Sequence, residues 1–415
     1  MGLASIAAAG SGLLILFISS RFLEKADNAE FIVFWSLLFG LFGVLTGIQT
    51  EVTRSVHMSK DAGSSPTPHK HPRVLTAAAA FGISLSLLVG GTSFLWGSSV
   101  LGKGWQQLVA FIIIGAILFS VGTGLNGVLS GSELWKPYSL MVAGESILRL
   151  ILAALAAVLV SGVVGLAAGA AFGSLAWVFL AILSPSIRRA FSVRADVPFK
   201  QLLIQMGHSC MATGSSAALV VGFPVLVRLT STDAVFHQAA PFLMAVTLTR
   251  APLMIPLGTY QSVAVKHFLR RRHEGIRAVI PLGGIILGVG VIGGLLAWLI
   301  GPLLMVLLFG AGYHVDGPVL GGLTFAASLL ALVTITGSLC LALHLHRPFS
   351  IGWLTGTVLA ILVLLLPLPL EPRALGALTA GPLLGVVIHV WAVLQSGSKH
   401  VPVTSPVVAS DLEGS

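Results

Sequence analysis

The chain has 415 residues, 56% of them hydrophobic and only 9% charged, and its mean hydropathy is +0.99. That composition excludes a soluble globular domain, because too few polar groups remain to cover a water-facing surface. The formal charge of +9 does not indicate nucleic acid, because the basic residues are dispersed through short gaps between apolar runs.

Apolar runs of about 20 residues, each able to cross roughly 30 Å of hydrocarbon, recur from end to end. Their order predicts twelve membrane-spanning helices, near 1–20, 31–57, 74–97, 104–130, 138–160, 162–185, 201–228, 237–265, 279–309, 317–344, 349–369 and 373–395. The first run lacks the basic n-region and small-residue cleavage pattern of a secretory signal and is read as a span. The gaps are too short for a folded soluble domain. The expected fold class is therefore an all-α polytopic membrane protein. Of the 23 Lys and Arg, three lie within spans (Arg54, Arg149 and Arg250). Five (Arg21, Lys25, Lys103, Arg228 and Arg373) fall in the odd-numbered gaps, leaving fifteen in the even-numbered gaps and the tail. This bias places the even gaps and both termini in the cytoplasm. Residues 186–200 divide the spans six and six. The expected organisation is an N-lobe over 1–185, a cytoplasmic amphipathic linker over 186–200, a C-lobe over 201–396 and a cytoplasmic tail over 397–415. In the linker, Ile187, Phe191 and Val193 interleave with Arg188, Arg189 and Arg194, which suits either an anionic inner leaflet or plain topogenic charge.

A charge at the centre of a spanning helix costs roughly 2.5–3.5 kcal/mol, so polar residues there mark interior or wet surfaces. Glu51 and Arg54 are three residues apart and Glu145 and Arg149 four, so each pair shares a helical face. Each reads either as a self-neutralising pair or as an arginine shared with an anionic substrate. His69 and His71 flank Lys70 in a polar loop and make a weak metal-binding pattern. Residues 97–104, GSSVLGKG, nearly match a phosphate-binding loop, but Gly104 replaces the required Ser or Thr and no strand precedes them. Asn126 and His389 suit helix–helix hydrogen bonds. Gln201, Gln205, His208 and Ser215 form a polar stripe on the seventh span, where His208 is either a satisfied interior histidine or a proton carrier. Pro224, Pro252 and Pro256 predict bent seventh and eighth spans, of the kind found beside transporter sites. Arg250 has no acid within one helical turn, so another helix, water or a substrate must satisfy it. Gln261 returns to nearly the same face three turns later. Cys210 and Cys340 are lone packing residues.

Assigned depths put Glu51, Arg54, Asn126, Glu145, Gln205, His208 and Gln261 in the inner half of the membrane, and Arg149 and Arg250 near its midplane. This predicts one polar cavity open to the cytoplasm, with arginine forks suited to phosphate oxygens. There is no GxSxG elbow, no HExxH motif and no paired catalytic constellation, which argues against an enzyme.

Twelve spans split six and six also fit major-facilitator carriers, but the loop SKDAGSSPTPHKHPR lacks their motif. The segments GSGLLILFISSRFLEKADNAEF (10–31), WSLLFGLFGVLTGIQTEVTRSV (35–56) and TRAPLMIPLGTYQSVAVKHF (249–268) instead resemble polysaccharide flippases of the multidrug/oligosaccharidyl-lipid/polysaccharide (MOP) superfamily. The resemblance implies two six-helix lobes rocking about a central cavity, with lipid access between the first and eighth spans. It also implies cationic cavity residues on a phosphate-linked headgroup whose polyprenyl tail stays in the bilayer. Arg250 matches the arginine of that family's R-x-P-L-like segment, whereas Arg54 and Arg149 have no firm match.

The expected function is translocation of a polyprenyl-phosphate- or diphosphate-linked glycan from the inner to the outer leaflet of a bacterial cytoplasmic membrane, for cell-envelope polysaccharide synthesis. Arg250, Arg149, Arg54, Gln261, Asn126 and Gln205 are expected to bind substrate, and Glu51, Glu145 and His208 to balance or couple charge. No cofactor or metal is expected, and coupling to H+ or Na+ is left open. Expected partners are the lipid-linked glycan, membrane lipids, and glycosyltransferases or polymerases of the same pathway, with no nucleic acid. The alternatives are a drug or small-molecule antiporter of the same superfamily, which should expose more acid in its cavity, and a non-transporting scaffold of a glycan-synthesis complex.

Overall fold

The computed structural model describes residues 2–61, 71–160, 162–343 and 345–397; most side chains between 255 and 273 lie outside the description. The described chain is helical, apart from short turns and one isolated antiparallel bridge between Arg73 and Arg194. Every one of the twelve predicted runs is a helix or a broken helix. In the first half these are α1 (Gly2–Phe22), α2 (Lys25–Asp61), α3 (Val74–Leu101), α4 (Trp105–Gly131), α5 (Trp135–Leu159) and the pair α6 (Val163–Phe172) and α7 (Ala176–Leu183). A 3-10 turn over Gly173–Leu175 joins that pair, and the short α8 (Pro185–Ala190) follows it. In the second half, α9 (Phe199–Val220) and α10 (Phe223–Leu229) form the broken seventh span. After the short α11 (Asp233–Phe236) come α12 (Ala240–Arg270), α13 (Ile280–Phe309), α14 (Gly317–Ala342), α15 (His346–Leu364) and α16 (Leu370–Gly397).

Nine described segments are long and apolar enough to cross a membrane, and Gly10–Phe22 and Ala240–Met254 add shorter apolar stretches. Leu95 on α3 is 72% exposed and Leu299 on α13 is 76% exposed, with Leu87, Phe94, Leu303 and Leu307 beside them. A continuous apolar exterior of this kind suits hydrocarbon rather than water.

Within the N-terminal half, α2 packs on α4, α4 on α3, and α5 on α1 and α6; within the C-terminal half, α14 packs on α12, α13 and α16, and α16 on α15. Small residues allow these approaches in lipid. A Cβ added at Gly381 would lie 2.7 Å from the carbonyl oxygen of Gly356, so α15 and α16 meet backbone to backbone. His389, fully buried on α16, is hydrogen-bonded to Thr336 Oγ1 on α14 at 3.1 Å and to the Phe349 carbonyl on α15 at 3.2 Å. It is the helix–helix tie that its position suggests. Cys210 and Cys340 are buried and free, as packing residues.

One expectation changes. The linker does not turn its apolar face to the inner leaflet: Ile187 is fully buried and Ala190 nearly so, in a cluster with Val56, Leu129 and Met141 beneath the N-lobe. Val74 N–H donates to the Val193 carbonyl at 3.1 Å and Ala195 N–H to that of Pro72 at 3.0 Å, while Arg188 and Arg189 stay exposed. The apolar spacing was legible, but it serves a protein surface. The seventh span, assigned to the C-lobe, lies with α9 along α2. A Cβ added at Gly47 would fall 2.4 Å from Cys210 N, and Thr213 Oγ1 donates to the Val44 carbonyl at 2.9 Å. This seam joins the two halves on the side that the charge bias assigns to the cytoplasm.

Residues 97–101 complete α3, and Gly102 and Gly104, both at positive φ, turn the chain into α4. A Cβ added at Gly102 would meet Glu30 Oε1 at 2.5 Å, so a carboxylate faces the place where a phosphate-binding loop would hold an anion.

Candidate functional site

The site begins at a break. Proline has no N–H, and Pro224 therefore cannot donate to the carbonyl of Val220 four residues back. The helix stops at Val220, turns through Val221 and Gly222, and restarts as α10. Carbonyls at a helix C-terminus that lie in an apolar region need donors from elsewhere. Arg250 supplies them from α12: its Nη1 donates to the carbonyls of Val220 at 3.1 Å and Leu219 at 3.3 Å. Its guanidinium also lies 5.4 Å from the Phe223 ring centroid. The negative end of the α9 dipole and the ring face both favour a cation there. Among the described residues Arg250 has no ion pair.

Arg250 lines a cavity of about 320 Å³ between the halves, bounded by α1, α2, the α9–α10 break and α12. Trp35, Ser36 and Phe39 on α2 face it, as do Gly12 and Leu16 on α1. No carboxylate is among the described lining residues. Leu13, Leu16 and Thr247 belong also to a second, apolar cavity of about 390 Å³ between α1, α12 and the end of α13, where Leu308 and Phe309 line it. One seam therefore presents a cation and an apolar chamber side by side.

The other described polar candidates do not join Arg250, and the single polar cavity expected from helical depth resolves, among the described residues, into separate clusters. Arg149 is 6% exposed within the N-lobe. It pairs with Glu145, donates from Nε to the Ala170 carbonyl at 2.9 Å and from Nη2 to Ser174 at 3.3 Å, and lies 5.1 Å from the Phe39 centroid. Asn126 is buried on α4, its Oδ1 without a partner among the described residues. His208 is exposed on α9, twelve residues or about 18 Å along the axis from Val220. The side chain of Gln261 lies outside the described residues, as do His69 and Lys70. Helical spacing predicts which residues share a face of one helix, not how that helix is rotated against its neighbours, and rotation separated these groups.

Glu51, Arg54 and Gln205 do meet, at the α2–α9 seam. Arg54 Nη2 donates to Glu51 Oε1 at 2.6 Å and to Gln205 Oε1 at 3.1 Å, and Nη1 donates to Asp196 Oδ2 at 3.0 Å. Asp196 also accepts from Ser55 Oγ at 2.6 Å. Asp196 was missed because it lies in the linker, outside every span. The Arg54 side chain is 40% exposed, so solvent screens the pairing and its contribution is expected to be about 0.5–1 kcal/mol. Asp196→Asn should lower the melting temperature in detergent by about 1–3 °C, a difference that shrinks in high salt. A salt-independent drop of 10 °C would show that the seam is held some other way.

Two arginines counted with the outer loops prove to be helix-end ligands. Arg21 Nη2 donates to the carbonyls of Leu307 at 2.8 Å and Leu308 at 3.0 Å, at the end of α13. Arg373, 8% exposed, donates from Nη1 to the carbonyls of Thr230 at 2.7 Å and Leu364 at 2.9 Å. Arg250 shares their chemistry and in addition lines the cavity between the halves.

No protein-family model matches the chain. It is 35% identical over 392 residues, covering 94% of this chain and 90% of the relative, to the uncharacterized protein Rv1510 of Mycobacterium tuberculosis (strain ATCC 25618 / H37Rv). It is 34% identical over 400 residues, covering 95% and 91%, to the uncharacterized protein Rv3630 of the same strain. Among solved structures it is similar to a multidrug resistance MATE family transporter of the MOP superfamily. The inward-facing form gives a TM-score of 0.72 at 15% identity, covering 97% of this chain and 96% of that one; the outward-facing form gives 0.67 at 14%, covering 96% and 94%. A MOP superfamily transporter from Pyrococcus furiosus, described as having a binding pocket of reverse polarity that suggests a different function, gives 0.67 at 15% identity and 96% of each chain. The chain belongs to the family of the mycobacterial proteins Rv1510 and Rv3630, multi-pass in the membrane, and carries the twelve-helix fold of MOP-superfamily transporters.

Proposed function

We propose that this protein is a flippase that moves a polyprenyl-phosphate-linked glycan across the cytoplasmic membrane by alternating access between its halves. The observation that carries the reading is Arg250: a cation with no ion pair among the described residues, in a cavity whose described lining has no acid and which adjoins an apolar chamber. A lipid phosphate is complementary to both parts. The carbonyls of Leu219 and Val220 at the break hold Nη1 of the guanidinium, whose remaining donors serve a phosphate oxygen when substrate arrives. In this reading Arg54 and Glu51 hold the cytoplasmic seam, and Glu145 and Arg149 the N-lobe.

The second reading is a drug antiporter, since the similar solved structures include a multidrug resistance MATE family transporter, but a cationic drug would meet Arg250 without a compensating carboxylate among the described lining. The two readings separate in proteoliposomes of purified protein. Faster exchange of a polyprenyl-phosphate-linked sugar between leaflets, with no proton- or sodium-driven movement of cationic dyes, supports the flippase. Dye movement without lipid exchange overturns it.

A further inference from the structure

We infer that Arg21 and Lys25 form a second phosphate site, at the outer end of the apolar chamber beside the Arg250 cavity, where the lipid substrate rests its phosphate in the outer leaflet; this rests on the flippase reading above. The chamber lies toward one end of the helices. Leu308 and Phe309, the last residues of α13, line it, as do Met244 and Thr247 near the start of α12 and Phe17 near the end of α1. The turns at that end, from α1 to α2 and from α13 to α14, are ones that the charge bias places outside the membrane. Arg250 is deeper, ten residues or about 15 Å along the axis from Ala240.

Arg21 stands at the rim of this chamber. Its guanidinium lies 5.4 Å from the centroid of Phe17, and its Nε and Nη2 donate to the Leu308 carbonyl at 3.2 and 3.0 Å. Both of those partners belong to residues that line the chamber. These bonds fix the plane of the fork and leave Nη1 without a partner among the described residues. A Cβ added at Gly310 would lie 3.7 Å from that nitrogen, and one added at Gly312 would lie 3.2 Å from Lys25 Nζ. Two cations thus lie against one turn that has no side chain at either contact, and both are exposed. Neither has an ion pair among the described residues, although Glu24 and Asp27 are close in sequence. Holding helix-end carbonyls does not require this exposure, since Arg373 does the same while 8% exposed. The arrangement has the polarity of an outer-leaflet lipid, with charge at the water-facing end and hydrocarbon running inward. A phosphate on Arg21 and Lys25 lets its chain enter the chamber, which shares Leu13, Leu16 and Thr247 with the Arg250 cavity.

The test uses the full chain in phosphatidylcholine nanodiscs and a short-chain polyprenyl monophosphate, with the prenyl alcohol of the same length for comparison. In an Arg250→Ala background, without the deeper cation, the lipid phosphate should still bind about tenfold tighter than the alcohol. Adding Arg21→Gln and Lys25→Gln should abolish that preference. In otherwise wild-type protein, Lys25→Gln leaves the carbonyl bonds of Arg21 in place, so a folding defect does not decide the result; it should weaken lipid-phosphate binding about three- to fivefold, and less in high salt. An unchanged preference for phosphate over alcohol in the doubly neutralised protein overturns the site. Displacement by an equal concentration of inorganic phosphate would assign it to a free anion, and displacement by an equal mole fraction of phosphatidylglycerol to bulk lipid; either overturns the inference. Binding that depends on both cations, in a wild-type protein that moves no polyprenyl-phosphate-linked sugar between leaflets, overturns the flippase reading and leaves a lipid-phosphate site without transport.

Discussion

Arg250→Ala should cut translocation of a polyprenyl-phosphate-linked sugar by about ten- to hundredfold. A hydrogen bond to a charged group contributes about 1.5–3 kcal/mol, and each 1.4 kcal/mol is a factor of ten. The loss should appear in the transport step and not only in folding, and the geometry indicates how to separate the two. Removing the guanidinium strands the carbonyls of Leu219 and Val220 at the α9 break, a defect of about 1–3 kcal/mol that lowers the melting temperature. Arg250→Lys keeps a positive charge and a donor for one carbonyl but loses the planar fork. The expected order of transport is therefore wild type, Lys, then Ala, with Lys recovering most of the stability but only part of the rate. Wild-type transport in a well-folded Arg250→Ala protein would remove the phosphate site from the proposal and leave Arg250 as a helix-end ligand like Arg21 and Arg373.

The comparison of Arg250 with those two residues shows what was legible in the sequence. The spans were readable because hydrocarbon allows only satisfied backbone, so a run of twenty apolar residues has one solution. The prolines were readable only in part: Pro224 removes one hydrogen bond and span seven breaks there, whereas α12 continues from Ala240 to Arg270 through Pro252 and Pro256. The pairs Glu51–Arg54 and Glu145–Arg149 were readable from spacing along a single helix. What remained hidden is long-range. Nothing local places Asp196 against Arg54, since 142 residues separate them. Nor does anything local send Arg21 to the end of α13 or Arg373 to Thr230. Depth alone merged the polar residues into one cavity, because depth is set along the membrane normal while clustering is set by the rotation of each helix about its own axis.

Glu145→Ala should be among the most destabilising single substitutions in the chain. Arg149 has a side chain only 7% exposed, and Glu145 supplies its one counter-charge among the described residues. Breaking a buried pair by removing one partner typically costs about 3–5 kcal/mol, because the remaining charge stays desolvated and unbalanced. The Ala170 carbonyl and Ser174 are neutral and do not replace the lost charge. Folded protein recovered from membranes should fall severalfold, and the surviving fraction should melt far below wild type. Removing the stranded charge should reverse most of this. In the double variant Glu145→Ala/Arg149→Met, the unbranched thioether fills the channel beside Phe39 and Phe42 without a charge, and an apolar replacement of a buried ion pair is commonly neutral or stabilising. The double variant should therefore melt within a few degrees of wild type. Transport then decides the function of the pair. Movement of a hexose-bearing polyprenyl phosphate within about threefold of wild type would mean that the pair supports the aromatic wall and takes no phosphate. A stable double variant with transport reduced a hundredfold would instead return Arg149 to the substrate path, behind Phe39 and on the N-lobe side of the cavity that Arg250 faces from the other half.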